Sequence, residues 1–183
     1  MDIDVSQEQS ADAAATAEDF GSIVGTYSKA ILKYCYSILC DYYEAQDAMQ
    51  MTFIKFHNKK HLFKEGMPLS PWLYKIAYNS CVDILRKKRF YQLLSGKETA
   101  PEPSYELKEE YMSDSLKKAL ETLTYKERAL VFSRAVDELD YKELSQIYGT
   151  SAATLRKRYE RAKNKLAKAL TENERSGISG KRH

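Results

Sequence analysis

A chain of 183 residues with 43% hydrophobic and 30% charged side chains is long enough for one helix-rich domain or two small ones. Its apolar runs fall well short of the roughly 20 residues that cross a bilayer, which excludes membrane insertion. The N-terminus lacks the basic start and apolar middle of a secretory signal, and three cysteines (Cys35, Cys40, Cys81) are an odd set; together these predict a soluble protein of the reducing cytoplasm.

Residues 1–19 hold six acids and no lysine or arginine, in an Ala-, Gln- and Ser-rich context that reads as a disordered acidic tail. Setting those acids aside leaves 29 cations against 20 acids, a net charge of +9 instead of +3. The folded part therefore favours a polyanionic partner.

From Phe20 the apolar residues Ile23, Val24, Tyr27, Ile31, Tyr34, Cys35 and Ile38 recur at three-and-four spacing. They predict one long amphipathic helix ending near Asp41. A second helix is expected over about 43–58. Projected at about 100° per residue, Ala45, Ala48, Met49, Thr52, Phe53 and Phe56 form a core side. Glu44, Asp47, Gln50, Met51 and Ile54 form the other side. That mixture of acid, amide and exposed apolar atoms suits a protein-docking face, and equally an ordinary amphipathic helix with scattered exposed apolar residues.

The loop after it carries Lys59, Lys60, Phe63 and Lys64, with Gly66 and Pro68 breaking helix. His57 and His61 are four apart, but no acid or cysteine nearby completes a metal site. Ser70 as cap and Pro71 at the first helical position open a third helix, which runs to about Leu93. Leu73, Ile76, Ala77, Ser80 and Ile84 line its inner face; Lys75, Asn79, Val82 and Arg86 line another side, and it ends in Arg86, Lys87, Lys88 and Arg89. Trp72, Tyr74 and Tyr78 lie among these cations. Cations to follow a backbone and an amide to read a base edge suit single-stranded nucleic acid. The competing reading places Trp72 and Tyr74 in the core and treats the basic run as a favourable helix C-terminus.

Residues 95–114 hold Gly96, Pro101 and Pro103 and set six acids against two lysines, which reads as a flexible acidic linker. Periodicity resumes near Ser115 and holds to Leu170; the tail 171–183 reads as disordered. Within this part, Asp140 and Glu143 form a capping box, Gly149 supplies a turn, and Ser151 caps a second helix. That helix buries Leu155, Tyr159, Ala162 and Leu166 and carries seven cations against Glu160 alone. Thr154, Arg156, Lys157 and Arg161 lie toward its start or its open sides, where a helix set in a major groove meets bases. The fold class is thus all-α: two small helical domains, 20–94 and 115–170, joined by the linker, the second holding a helix-turn-helix.

Over residues 20–170 the chain resembles the extracytoplasmic-function (ECF) sigma factors of the bacterial sigma-70 family. The stretch SPWLYKIAYNSCVDILRKKR carries the most specific likeness; EAQDAMQMTF resembles the family's second conserved helix, and LETLTYKERALVFSRAVDELDYKELSQIYGTSAATLRKRYERAKNKL its C-terminal helix-turn-helix domain. Three positions depart from the pattern: Glu138 replaces a usual glycine, Ser145 a usual alanine and Thr150 a usual apolar residue. A hydroxyl at Ser145, between closely approaching helices, needs a partner.

The resemblance implies a transcription initiation factor with no catalytic residues, cofactor or metal of its own. Glu44, Asp47, Gln50, Met51 and Ile54 would contact core RNA polymerase. The loop and third helix would hold the melted non-template strand of the minus-ten element, through Lys59, Lys60, Phe63, Lys75, Asn79, Arg86 and Lys87. Thr154, Arg156, Lys157 and Arg161 would read the minus-thirty-five element as duplex. The linker would thread toward the polymerase's RNA path, and an anti-sigma factor would be a further partner.

Overall fold

The computed structural model describes residues 6–62, 68–95 and 113–179, with side chains for 20–62, 68–94 and 113–173. Among the described residues the fold is all α: α1 (Ser6–Leu39), α2 (Tyr42–Lys59), a 3-10 turn (Lys60–Leu62), α3 (Leu69–Ser95), α4 (Asp114–Glu121), α5 (Tyr125–Ala135), α6 (Tyr141–Tyr148) and α7 (Ala152–Ser179).

The first three helices build one body. α1 stops where Cys40 turns left-handed (φ 56°), and the Asp41 carboxylate at once caps α2 by accepting from the Glu44 amide at 3.0 Å. So short a turn forces α1 and α2 to lie side by side. Ile31, Tyr34, Cys35 and Ile38 of α1 meet Ala45, Ala48, Phe53 and Phe56 of α2 and Leu73, Ala77 and Cys81 of α3, all buried. The two alanines keep side chains out of the way where helices approach. At the far end Phe20, Phe56 and Trp72 form an aromatic chain, with centroids 6.1 and 5.3 Å apart. Two ties cross from α2 to α3: Lys55 to Asp83 at 3.1 Å, and Glu44 to Lys88 at 2.8 Å.

The last four helices build the second body. α4 and α6 have eight residues each, below the ~12–15 at which a helix holds up alone in water. They persist because Leu120, Leu144 and Ile147 are buried and because their starts are capped. The helix-turn-helix forms as expected. Asp140 accepts from the Lys142 and Glu143 amides at 2.7 and 2.8 Å, and Glu143 returns the favour to the Asp140 amide at 2.7 Å. Gly149 takes φ 60°, and Ser151 caps α7. The Ser145 hydroxyl finds its partner in its own helix, donating to the Tyr141 carbonyl at 2.6 Å.

The two bodies do not stand apart. α5 packs on α1 and α6 on α3, and the apolar core runs without a break from Ile31 to Leu155. Local differences from the sequence reading have local causes. α3 begins at Leu69, so Ser70 lies in its first turn and does not cap it. The backbone of α1 is helical from Ser6, through most of the stretch read as a tail. α7 runs on past Leu170 to Ser179 because Asn173 donates to the Ser115 carbonyl at 3.2 Å and Lys168 pairs with Glu172 at 3.9 Å. Phe63 and Lys64, and linker residues 96–112, lie outside the described residues.

Glu138, in the α5–α6 turn, sits at φ 55°, a conformation that side chains with a Cβ resist. The resemblance puts glycine at this position, and the backbone explains why. Glu138→Gly is expected to stabilise the fold by about 0.5–1 kcal/mol, the left-handed strain relieved less the extra entropy of an unfolded glycine. A urea denaturation midpoint that stays put or falls would show that the turn carries no such strain.

Candidate functional site

Three surfaces hold the side chains singled out in the sequence. The first is an open groove of about 900 Å³ between α2 and the end of α3. Glu44, Asp47, Gln50, Met51 and Ile54 all line it, facing Ile84, Lys87, Lys88, Tyr91, Gln92 and Leu94. Met51 and Ile54 are 44% and 52% exposed with no core duty, so their apolar surface is open to a partner. Glu44 is half-committed: Oε1 accepts from Lys88, while the buried Oε2 has no partner among the described residues. Ile84, Lys88 and Tyr91 follow one another at helical spacing along the α3 wall of the groove.

The second surface is the outer stripe of α3. Lys75 and Asn79 are exposed, and Arg86 is held by Asp83 at 3.8 Å one turn away. Lys59 and Lys60 are exposed where α2 gives way to the 3-10 turn. Lys87 does not join this stripe: it opens into the first groove, among the docking candidates. Trp72 packs on Phe56 and Tyr74 is buried, so both belong to the core. His57 lies edge-on to Phe20 at 4.9 Å.

The third surface is α7. Leu155 and Ala162 are buried and turn the helix so that Arg156, Lys157 and Arg161 are exposed. Thr154 is half-buried, its hydroxyl 2.9 Å from that of Ser151. Lys165 is drawn to Glu127 at 3.6 Å. Burial pushes the Glu127 carboxyl up, but the amide and hydroxyl of Thr124, helped by that lysine, hold it below its ordinary range.

Sequence comparison places these surfaces in known modules. Sigma-70 region 2 matches residues 23–91, and Sigma-70, region 4 matches residues 113–166, in that order. The ECF RNA polymerase sigma factor SigW of Bacillus subtilis is 27% identical over 167 residues, covering 82% of this chain and 88% of that protein. The ECF RNA polymerase sigma factor SigM of the same organism is 29% identical over 159 residues, covering 79% and 90%. Among solved structures, the sigma factor RpoE from Bartonella quintana, in complex with the anti-sigma factor NepR, superposes with a TM-score of 0.71 at 25% identity, over 84% of this chain and 98% of that one. The chain belongs to the sigma-70 family, as an ECF sigma factor. Such proteins serve RNA polymerase in transcription initiation, with regions 2 and 4 binding promoter DNA.

In this sigma factor region 4 is seated on region 2 through polar contacts that periodicity alone does not reveal. Arg128 of α5 reaches across to the Ile38 carbonyl near the end of α1, donating from Nε at 2.9 Å and Nη2 at 2.6 Å, while Nη1 donates to the Leu123 carbonyl at 3.0 Å. A cation at a helix C-terminus also meets the negative end of the helix dipole. The hydroxyls of Tyr34 and Tyr148 lie 2.9 Å apart, and that of Tyr148 lies 2.7 Å from Ser133, whose own hydroxyl donates to the Ala129 carbonyl. Tyr78, next to Asn79, stands edge-on to Tyr148 at 5.1 Å and near Tyr125 at 6.5 Å. Burial pushes its hydroxyl up to about 12.

Asp137, after α5, faces this seam. Burial pushes its carboxyl up to about 6, against the Tyr74 hydroxyl and the Lys33 ammonium, which pull it down. Its Oδ2 is buried without a partner among the described residues. The folded state therefore holds this proton more tightly than the unfolded chain does. The cost of the charge is absent below about pH 4 and complete once pH rises past about 6. Asp137→Asn, which keeps the shape without the charge, is expected to gain more over the parent in thermal midpoint at about pH 7.5 than at about pH 4.5. A difference that does not vary with pH would mean that the carboxylate is not desolvated.

Proposed function

We propose that this sigma factor docks on core RNA polymerase through the α2–α3 groove, with Glu44, Asp47, Gln50, Met51 and Ile54 as its contacts. The observation that carries the reading is the convergence of those five side chains on one groove. The exposed pair Met51 and Ile54 supplies apolar area, and the acids and amide around it supply orientation.

The outer stripe of α3, with Lys75, Asn79 and Arg86, takes the melted non-template strand of the minus-ten element. Lys59 and Lys60 extend that cationic track, and Phe63, outside the described residues, is a further contact. Lys87 goes instead with the polymerase groove, in keeping with the wall on which it lies. α7 reads the minus-thirty-five element as duplex through Thr154, Arg156, Lys157 and Arg161. The domain limits follow: region 2 over 20–94, an acidic linker over 95–114 and region 4 over 115–170, between two tails. The chain acts in the cytoplasm, contributes binding energy and no catalysis of its own, and leaves bond formation to the polymerase. An anti-sigma factor is a further partner; the similarity to an RpoE structure bound to NepR supports this.

Two variants, one double and one single, test the assignment. Asp47→Ala with Gln50→Ala is expected to weaken binding to core polymerase while the circular dichroism spectrum is retained; affinity equal to the parent's would move the docking face elsewhere. Arg156→Ala is expected to cost roughly 1–3 kcal/mol on a promoter with the preferred upstream element and to relax selection at one base position. A loss of equal size on every duplex would instead make Arg156 a phosphate contact. Transcription from a promoter library, reconstituted with core polymerase, reads both.

A further inference from the structure

Where region 4 meets region 2, a crevice of about 360 Å³ opens between them. Tyr78 of α3 lines it from region 2. Tyr148 and Thr150 line it from the end of α6 and the turn after it, and Lys126, Arg158 and Arg161 from α5 and α7. Leu130 and Leu155, both buried, add apolar surface. Sites for small molecules run from about 300 to 1,000 Å³ and favour the junctions between domains. A crevice of this size admits one small molecule, and a DNA duplex is far too wide to enter it.

The charge around it is one-sided. Among the described residues Lys126, Arg158 and Arg161 are in no salt bridge. The carboxylate on the wall, Glu127, is already engaged: its Oε2 accepts from the Thr124 amide at 2.7 Å and the Thr124 hydroxyl at 3.0 Å, and Lys165 stands 3.6 Å away. Three cations without a neutralising partner raise the positive potential of a concave site. They suit a ligand with more than one negative charge, and a guanidinium fork matches phosphate oxygens in pairs. The rest of the lining suits the other end of a nucleotide. The half-buried Tyr78 ring is held edge-on to Tyr148 at 5.1 Å, and an aromatic ring accepts any base by stacking. Thr150 stands where the resemblance expects an apolar residue. Its hydroxyl donates to the Tyr148 carbonyl at 3.3 Å, which leaves its oxygen to accept from a sugar hydroxyl.

We propose that this crevice binds a nucleoside diphosphate, with the phosphates on Lys126, Arg158 and Arg161, the sugar at Thr150 and the base against Tyr78. Tyr78 belongs to region 2 and the other groups to region 4, so the bound molecule favours the state in which the two are seated together. A regulatory consequence rests on the reading of α7 as the duplex-reading helix: an occupied crevice takes Arg161 away from the upstream element.

The test titrates the full chain with ADP, GDP, pyrophosphate and adenosine by calorimetry at about 0.15 M salt. ADP or GDP is expected to bind once per chain, about tenfold more tightly than pyrophosphate, with adenosine weaker still. Arg158→Ala and Lys126→Ala should each weaken the nucleotide about tenfold or more. Thr150→Val should weaken the nucleotide about two- to tenfold and leave pyrophosphate unchanged. Lys142→Ala, an exposed lysine of α6 outside the crevice, should change nothing. Absence of binding by the parent to both nucleotides overturns the site, and so does an equal loss for Lys142→Ala and Arg158→Ala, which would mark diffuse attraction to a basic surface. Pyrophosphate that binds as tightly as ADP overturns the nucleotide class. The consequence has its own readout: with the chain assembled on core polymerase, the nucleotide should lower binding to an upstream-element duplex for the parent and not for Thr150→Val at the same concentration. If calorimetry succeeds and this competition fails, the regulatory step is overturned and the site stands; a parent that selects no upstream element brings down the reading of α7 instead.

Discussion

The seam between regions 2 and 4 is held by polar groups that must find partners inside the protein. Tyr34 is fully buried, and its hydroxyl is 2.9 Å from that of Tyr148. Leaving such a hydroxyl unpaired costs about 1–3 kcal/mol, more than one ordinary hydrogen bond contributes. The chain Tyr34–Tyr148–Ser133–Ala129 therefore fixes how α6 sits on α1 and α3: another register would strand at least one hydroxyl. Arg128 adds a directional constraint, because one guanidinium satisfies carbonyls from both bodies. Apolar packing alone would tolerate sliding, since its energy depends on area and not on direction. The tyrosines also set the character of the seam. A tyrosine that leaves it regains water at its hydroxyl, which a leucine or phenylalanine could not do, and interfaces between domains are in general more polar than cores.

The lysines and arginines divide into those used for structure and those left free, and composition does not separate them. Lys55, Lys88 and Lys165 tie helices together, and Arg128 closes the seam. Pairs as exposed as these add little energy each, on the order of 0–1 kcal/mol, so they orient more than they stabilise. The cations left outward on α3 and α7 are the ones that a polyanion meets. The net charge of +3 for the chain hides this twice, once in the acidic first nineteen residues and once in the internal pairs.

Local grammar was legible in the sequence, and distant contact was not. The capping box of α6, the glycine turn and the cap of α7 depend on residues within four of each other, so the spelling is sufficient. The docking groove was half legible. Projection of α2 isolated Met51 and Ile54 on a non-core side, but the opposite wall needed α3 in place, and only then did Lys87 part from Asn79. The seam was not legible at all. Tyr34 and Tyr148 fit the apolar stripes of their own helices, and Arg128 looks like a surface cation on α5. Nothing at the level of period or propensity tells a tyrosine facing its own core from one shared between two bodies. Glu138 is a middle case: the resemblance marked it as a departure, and only its φ of 55° supplied the reason.

Glu44 shows how the groove can discriminate as well as attract. Its carboxylate lines the groove, where Lys88 satisfies one oxygen at 2.8 Å and the other is buried with no partner among the described residues. A wholly apolar surface laid over Met51 and Ile54 would also strip water from the partly exposed Glu44–Lys88 pair and forfeit about 1–3 kcal/mol. A surface that offers polar groups to that pair avoids the cost and adds a charge-assisted bond. The exposed apolar pair thus makes the groove sticky, while the ion pair beside it penalises occupants without a polar group in the right place. Specificity of this kind comes from the difference between two affinities and needs no great strength in either.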